Sequence, residues 1–362
     1  MASDPDLGAL DRRPVILDVD TGIDDSLALL YACASAEIEL VAVTCVAGNV
    51  SAAQVAANTR AVLELAGRAD VRVALGADRP LIKPLETTEE THGPHGIGHA
   101  VLPAPATDLD AIDAADRIIE IAQRRPGEVI LITLGPLTNL AMALQREPRL
   151  PSMLAGWTFM GGAFGVPGNT TPTSEWNVYV DPDAAKACLK AWSSARAEDP
   201  NVPLPIGMGL DVTEVARLMP DAVARLALRA GASATDGSSL AETSPSMPMM
   251  ALGSVASNPV LRFIVDAVRF YFEFHARYDG FYGAFIHDPL VVAATADPSL
   301  IATRELFVDV EVGPGLAHAM TVTDWREITG KSPNVAVAIS ADAATFIDRL
   351  VERVGTLAGR SG

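Results

Sequence analysis

The chain has 362 residues, with 27 Lys+Arg against 45 Asp+Glu, a formal net charge of −18, and 49% hydrophobic and 20% charged residues. That balance belongs to a globular chain rather than a disordered one. The acidity argues against nucleic acid or an anionic membrane surface as partner, because both require a basic face.

MASDPDLGALDRR, at the N-terminus, has no apolar stretch of signal-peptide length, and no segment reaches the roughly 18–20 apolar residues of a membrane span. A soluble, cytoplasmic protein is expected. The run 15–17 is apolar and ends in acids, as a buried parallel strand does. Helical spacing follows over 23–34, a strand over 38–46, and a helix over 51–66 that opens on a serine cap. Strand 71–75, helix 111–124, strand 129–134 and helix 138–144 continue the alternation. A strand is expected over 153–160, and Asp181-Pro182 opens a helix over 184–192. Cys33, Cys45 and Cys188 are far apart and set in apolar runs, which suits reduced core thiols. The second half is less regular. It reads as a strand over 202–208, a helix capped by Thr213 and running to 229, and a Ser-, Met-, Gly- and Pro-rich loop or lid over 232–259. A long helix over 260–278 opens on Asn258-Pro259. Late strands at 306–312 and 335–339 and a closing helix over 341–354 complete the pattern. Regular alternation of strand and helix predicts an α/β fold, a mostly parallel central sheet with helices on both faces. With no repeat and no linker, residues 1–362 read as one domain carrying an insertion around 232–259.

Ligands of open parallel sheets bind beyond the carboxyl ends of the strands. The polar residues that follow each apolar run are therefore the candidates: Asp18, Asp20, Asp24 and Asp25 in DVDTGIDDSLALL, then Gly48-Asn49, the stretch after Leu134, then Asn169, Glu175, Asn177 and Asp181, and finally His287-Asp288-Pro289. One aspartate at a helix start is explained by capping alone. Asp20, Asp24, Asp25 and Asp288 together point instead to a hard divalent cation, because a buried cluster of carboxylates without one repels itself and stays largely protonated.

ILDVDTGIDD resembles the D-x-D-x-G-x-D-D fingerprint of the inosine–uridine preferring nucleoside hydrolases. The likeness continues through VAGN, HGPHGIG, TLGPLTNLAMAL, MGGAFGVPGN, SEWNVYVDPDAA, GLDVT and HDPL, in the family's order. The resemblance implies an α/β nucleoside hydrolase fold, cleavage of a ribonucleoside to ribose and free base, a bound Ca²⁺, and a homodimer or homotetramer. It assigns Asp20, Asp25, Asp288 and the backbone carbonyl of Leu134 to calcium, with Asp20 also the general base. It places Asp24, Asn49 and Asn177 on ribose hydroxyls, Asp288 against substrate as well as metal, Asn169 and Glu175 on the 5′-hydroxyl, and Met160 near the sugar. His287 and His92 would face the base, His287 as candidate proton donor, with Trp176 and either Phe281 or Tyr282 as pocket walls. Thr21 departs from the proline of many relatives. His95 and His99 complete an H-x-x-H-x-x-x-H series with His92, but in a Gly/Pro-rich stretch without helical zinc-site geometry.

Two other classes compete. ILDVDTG also resembles the nucleophile block of haloacid-dehalogenase-like phosphatases, with Asp18 as nucleophile, although Gly22 stands where that block has Thr or Val. A non-catalytic nucleoside-binding protein is the third.

Overall fold

The structure is a computed structural model and describes residues 12–360; the segment MASDPDLGALD, on which the signal-peptide reading bears, lies outside the described residues. Strands β1 (Arg13–Val19), β2 (Ile38–Cys45), β3 (Arg72–Leu75), β4 (Ile130–Thr133), β5 (Gly156–Met160) and β6 (Ile206–Met208) are joined mainly through helices. β7 (Arg217–Leu218) and β8 (Ala284–Phe285) pair with each other away from the main sheet. They are followed by β9 (Ile301–Leu306), β10 (Val308–Val310), β11 (Thr321–Thr323) and β12 (Val335–Ala341). The main sheet has the order β3-β2-β1-β4-β5-β6-β12-β9. All its neighbours are parallel except β9, which runs antiparallel to β12. The expected α/β architecture is present.

Side-chain alternation in β1 explains why its apolar run is continuous. Val15, Leu17 and Val19 enter the core formed with the helices Ile23–Ala34, Pro259–Tyr278 and Ala343–Arg360. Ile16 enters the opposite core, with Ala114–Arg124, Thr138–Arg146 and Pro182–Glu198. A strand covered on both faces has no polar side to show. From β1 the chain builds outward through β2 to β3, then returns to place β4 on the other side of β1. The connections diverge between β1 and β4, so a crevice opens beyond their carboxyl ends.

Most caps fall where the sequence indicates. Ser51, Asp181 and Asn258 each accept an N–H from the first turn of the helix they open. Four expectations are corrected. Residues 150–153 form a helical turn, not the start of β5. Thr213 ends the short helix Leu210–Thr213; the following helix, Pro220–Arg229, starts after β7, where a proline needs no N–H partner. Between 232 and 259 lie the helices Ala234–Ala241 and Gly253–Ser257, anchored by buried Leu240, Met249 and Val255, and no residue of that segment lines the cavity described below. The strand expected over 306–312 divides at Phe307 into β9 and β10, which belong to different sheets. The cysteines are free, with Cys45 and Cys188 buried and Cys33 partly so.

Under the second core face, Trp157 is 1% exposed, packs at a tilt with its ring centroid 4.9 Å from that of Trp192 and donates its indole N–H to Thr133 Oγ1 at 3.0 Å. Trp157→Ala is expected to lower the unfolding free energy by about 3–5 kcal/mol, measured by urea denaturation. A loss below about 1 kcal/mol would mean that this layer is not closely packed.

Candidate active site

Asp20 stands where β1 ends, and the helix Ile23–Ala34 begins two residues later at its Gly22 cap. Asp25 reaches back over that start: its Oδ2 accepts the Gly22 N–H at 2.8 Å and its Oδ1 the Asp20 N–H at 3.2 Å. The capping explanation is therefore true of Asp25, but it does not exhaust the cluster. Asp288 lies in the first turn of the helix His287–Ala296, which packs against Ile23–Ala34. Carboxylate oxygens of Asp24, Asp25 and Asp288 come within 4.8 Å of one another. Asp20 is tied to them through Asp25 and through Asn49, whose backbone N–H donates to Asp20 Oδ2 at 2.9 Å.

Two glycines make room for Asp20. A Cβ on Gly48 would fall 2.2 Å from its Oδ2, and one on Gly135 would fall 2.8 Å from its Oδ1. This accounts for the glycines in VAGN and TLGP: the carboxylate is clasped between the ends of β2 and β4.

Burial dominates the electrostatics. It pushes the carboxyls of Asp20 and Asp288 well above their ordinary range, with neighbouring carboxylates adding to the shift. Burial and the charge of Asp25 push Asp24 up to about 8, and burial pushes Asp25 up to about 6 against the hydrogen bonds it accepts. No Lys or Arg stands among the described residues of the cavity wall. Buried oxygen donors with no organic cation beside them are the donor set that a hard divalent ion takes. Such an ion restores the charged forms.

The cavity beside this cluster has a volume of about 530 Å³. At the end of β4, Leu134 offers a buried carbonyl that already accepts the Asn177 side-chain N–H at 2.6 Å and keeps a second lone pair. Asn177 belongs to the short helix Trp176–Val180, which Glu175 caps: its carboxylate accepts backbone N–H groups from Asn177 at 2.8 Å, Val178 at 3.0 Å and Gly162 at 2.9 Å. Burial pushes the Glu175 carboxyl up against those three donors. Asn169 accepts the Trp176 N–H at 3.1 Å, and Met160 Sδ lies 3.2 Å from Asn177 Nδ2.

Of the residues singled out from sequence, Asp20, Asp24, Asn49, His92, Leu134, Met160, Asn169, Glu175, Trp176, Asn177, His287 and Asp288 all line this one cavity; Asp25 lies directly behind it. His92 Nδ1 accepts the Ile23 N–H at 3.1 Å, so in the neutral ring Nε2 carries the hydrogen. His287 Nδ1 sits 2.8 Å from Thr213 Oγ1. Burial, with a smaller contribution from neighbouring histidines, pushes both rings down to about 3 and keeps them neutral.

Other assignments are corrected. Asp18 is fully buried within β1, accepts from Thr44 and Asn139, and does not reach the cavity, so it cannot serve as a phosphatase nucleophile. Phe281 and Tyr282 lie behind the wall: Phe281 stacks on His275, and Tyr282 accepts the Met249 N–H. His99 pairs with Glu273, away from His92. Sequence reasoning missed Tyr271, Phe274, His275 and Tyr278, which line the cavity from one face of the helix Pro259–Tyr278 together with Asp279. Their spacing at i, i+3, i+4 and i+7 was a visible signal, but it is also that of an ordinary core face.

The family described as inosine-uridine preferring nucleoside hydrolase matches residues 15–348. The pyrimidine-specific ribonucleoside hydrolase RihA of Enterobacter sp. (strain 638) is 34% identical over 343 residues, 94% of this chain and 97% of that protein. Among solved structures, the purine-preferring ribonucleoside hydrolase from Gardnerella vaginalis superposes with a TM-score of 0.82 at 26% identity, covering 96% of this chain and 100% of the other. The plant nucleoside hydrolase PpNRh1 superposes with a TM-score of 0.79 at 26% identity, covering 94% and 98%.

The cluster predicts a pH dependence. With its carboxyl at about 8 in the folded chain and roughly 4 when unfolded, Asp24 binds more protons in the folded protein between those values. In chelator-treated protein the associated stability is present at low pH and lost as pH rises through about 8, by up to roughly 1.4 kcal/mol per pH unit for each such group. Unfolding by urea between mildly acidic and mildly basic pH should show this decline with chelator and a flatter profile with Ca²⁺. Identical profiles would refute cation binding at the cluster.

Proposed function

The chain belongs to the inosine-uridine preferring nucleoside hydrolase family, and we propose that it cleaves ribonucleosides to ribose and free base with a Ca²⁺ ion held by Asp20, Asp25, Asp288 and the carbonyl of Leu134. The observation that carries this reading is the convergence of buried carboxylates on one cavity that also holds Asn49, Asn169, Asn177 and the helix-capping Glu175, with no Lys or Arg among the described residues of its wall. When bound, the cation supplies charge neutralisation and Lewis acidity toward oxygen ligands.

Every other part is played by side chains. Asp20, fixed between Gly48 and Gly135 and held by the Asn49 N–H, takes the proton of the attacking water as general base. The water oxygen bonds to C1′ while the glycosidic electron pair leaves with the base nitrogen. Asp24, Asn49 and Asn177 hold the ribose hydroxyls, Asp288 contacts them from beside the cation site, and Asn169 and Glu175 hold the 5′-hydroxyl; Met160 packs against the sugar. Their carboxylate and carboxamide oxygens are already in place to stabilise the positive charge that develops on the ring. His287, with Nδ1 on Thr213, offers Nε2 to the leaving base; His92 and Trp176 close the pocket around it.

Pyrimidine ribonucleosides are the proposed preferred substrates, in line with the activity named for the RihA relative. The same reading takes residues 1–362 as one domain, the enzyme as cytoplasmic and the assembly as a homodimer or homotetramer, with no nucleic acid or membrane partner.

Asp20→Asn should reduce ribose release from uridine by about a hundred- to ten-thousand-fold while leaving the melting transition cooperative; near-normal turnover would remove Asp20 from the mechanism. His287→Ala should slow uridine far more than a nitrophenyl riboside, whose leaving group needs no proton. Equal losses on the two substrates would show that His287 does not assist departure of the base.

A further inference from the structure

Between β1 and the helix Ile23–Ala34 the chain passes through Thr21, a residue that the proposed mechanism does not use. Asp20 lies on one side of it, Gly22, Asp24 and Asp25 on the other, and it stands where many relatives have proline. A proline ring would fix the backbone of that turn; a threonine does not. The inner side of the turn is held by Asp25, whose carboxylate accepts the N–H groups of Asp20 and Gly22. In the hydrolase reading the same carboxylate serves the cation, so the turn needs a second hold that does not depend on it.

The outer side supplies one. Thr21 is fully buried, and its Oγ1 lies 2.6 Å from Oγ1 of Thr59, equally buried in the helix Ala52–Leu65. Thr59 donates its one hydroxyl hydrogen to the Val55 carbonyl at 2.8 Å, so Thr21 is the donor of the pair. Thr59 Oγ1 also lies 3.4 Å from Cys45 Sγ, and burial pushes that thiol up to about 12, so it keeps its hydrogen. The Thr59 hydroxyl is thereby saturated, with one hydrogen given and two accepted. Asn58, the residue before it, holds the same turn by its backbone. Its Nδ2 donates to the Thr21 carbonyl at 3.2 Å and to the His95 carbonyl at 2.8 Å, while Gln54 donates to its Oδ1 at 2.8 Å. Gly96 makes that bridge possible: its φ is +79°, and a Cβ there would lie 3.1 Å from Asn58 Nδ2 and 3.2 Å from the Thr21 carbonyl oxygen. Thr21, Asn58 and Thr59 do not line the cavity.

Resting on the hydrolase reading, we propose that Thr21 is the positioning residue of the cation turn: its hydroxyl, anchored on Thr59, and its carbonyl, anchored on Asn58, hold Asp20 and Asp25 ready to receive Ca²⁺. Thr21 acts only through those two carboxylates. A turn fixed beforehand takes the ion without first having to be ordered, and the ordering cost otherwise appears as lost affinity. The Asn58 bridge also ties the turn to the loop that carries His92, whose Nδ1 accepts the Ile23 N–H.

The test compares wild type, Thr21→Val, Thr21→Ser and Thr59→Val, each first stripped with chelator. Ca²⁺ affinity is read by titration calorimetry, and kcat and KM from ribose release with uridine at saturating Ca²⁺. Valine keeps the branched shape and removes the hydroxyl, whereas serine keeps the hydroxyl. Thr21→Val should bind Ca²⁺ about tenfold more weakly and lose about tenfold in kcat, because Asp20 is no longer held in place. Thr21→Ser should stay within about twofold of wild type in both. Thr59→Val removes the other end of the bond and should match Thr21→Val; it decides the matter alone should Thr21→Val fail to fold. Lower stability in urea with Ca²⁺ affinity and kcat unchanged in the valine variants marks a bond that only supports the fold and overturns the proposal. So does a Thr21→Ser variant as impaired as Thr21→Val, and so does a wild-type protein that binds no Ca²⁺. Affinities in the expected order from a protein that releases no ribose from any ribonucleoside defeat the hydrolase reading and leave the positioning role of Thr21 standing.

Discussion

Several carboxylates share one buried corner, and much of the surrounding structure serves to make that tolerable. Asp24, Asp25 and Asp288 have oxygens within 4.8 Å of one another, and Asp20 is joined to them by hydrogen bonds. Taking an ion out of water costs several kcal/mol per group even after relaxation. The starts of two helices, Ile23–Ala34 and His287–Ala296, offset part of this, because Asp24, Asp25 and Asp288 lie in their first turns. A helix terminus returns about 0.3–1 kcal/mol, and up to roughly 2 kcal/mol when partly buried. Backbone N–H groups of Asp20, Gly22 and Asn49 contribute further. These sums fall short of four ionised side chains. A cation that neutralises the cluster resolves the deficit, and protonation resolves it less usefully.

The sheet topology explains why the corner lies where it does. Among the described strands, the connections diverge between β1 and β4, and residues from distant segments gather there beyond the strand ends. Asp20 arrives from β1, Asn49 from β2, Leu134 from β4, Glu175 and Asn177 from the helical turn after β5, and Asp288 from a helix formed much later in the chain. Glycines 48 and 135 are the local counterpart of this convergence. Without them β2 and β4 could not close on the Asp20 carboxylate.

What could be read from the sequence follows the same division. The carboxylate and amide end of the cavity was legible because its residue types are uncommon at strand ends and carry specific chemistry. Acids, amides and glycines there have few structural explanations, and their order along the chain adds specificity. The sheet was legible for a related reason: β1, β2 and β4 are apolar runs bounded by polar rims. Elements held by context rather than pattern were not. β7, β8 and β11 are two or three residues long, too short to show a period, and the segment 232–259 forms helices because Leu240, Met249 and Val255 find apolar partners that composition does not reveal. Tyr271, Phe274 and His275 were missed because an aromatic stripe on a long helix has the same spacing whether it faces a core or a cavity.

This asymmetry has a physical origin. The carboxylates and amides of the cavity stand on strand ends and helix caps, where the backbone sets their positions. The aromatic side of the cavity is organised differently. It is built from side chains on one helix face and a few loops, where a substitution changes the lining without moving the sheet. His275 packs there against Tyr271, Phe274, Phe281 and Phe285, with Asp279 at the rim. Relatives named for pyrimidine and for purine preference share this fold. The strand ends and helix caps therefore fix the carboxylate and amide groups of the cavity, and the face of one helix supplies aromatic lining that can change without moving the sheet.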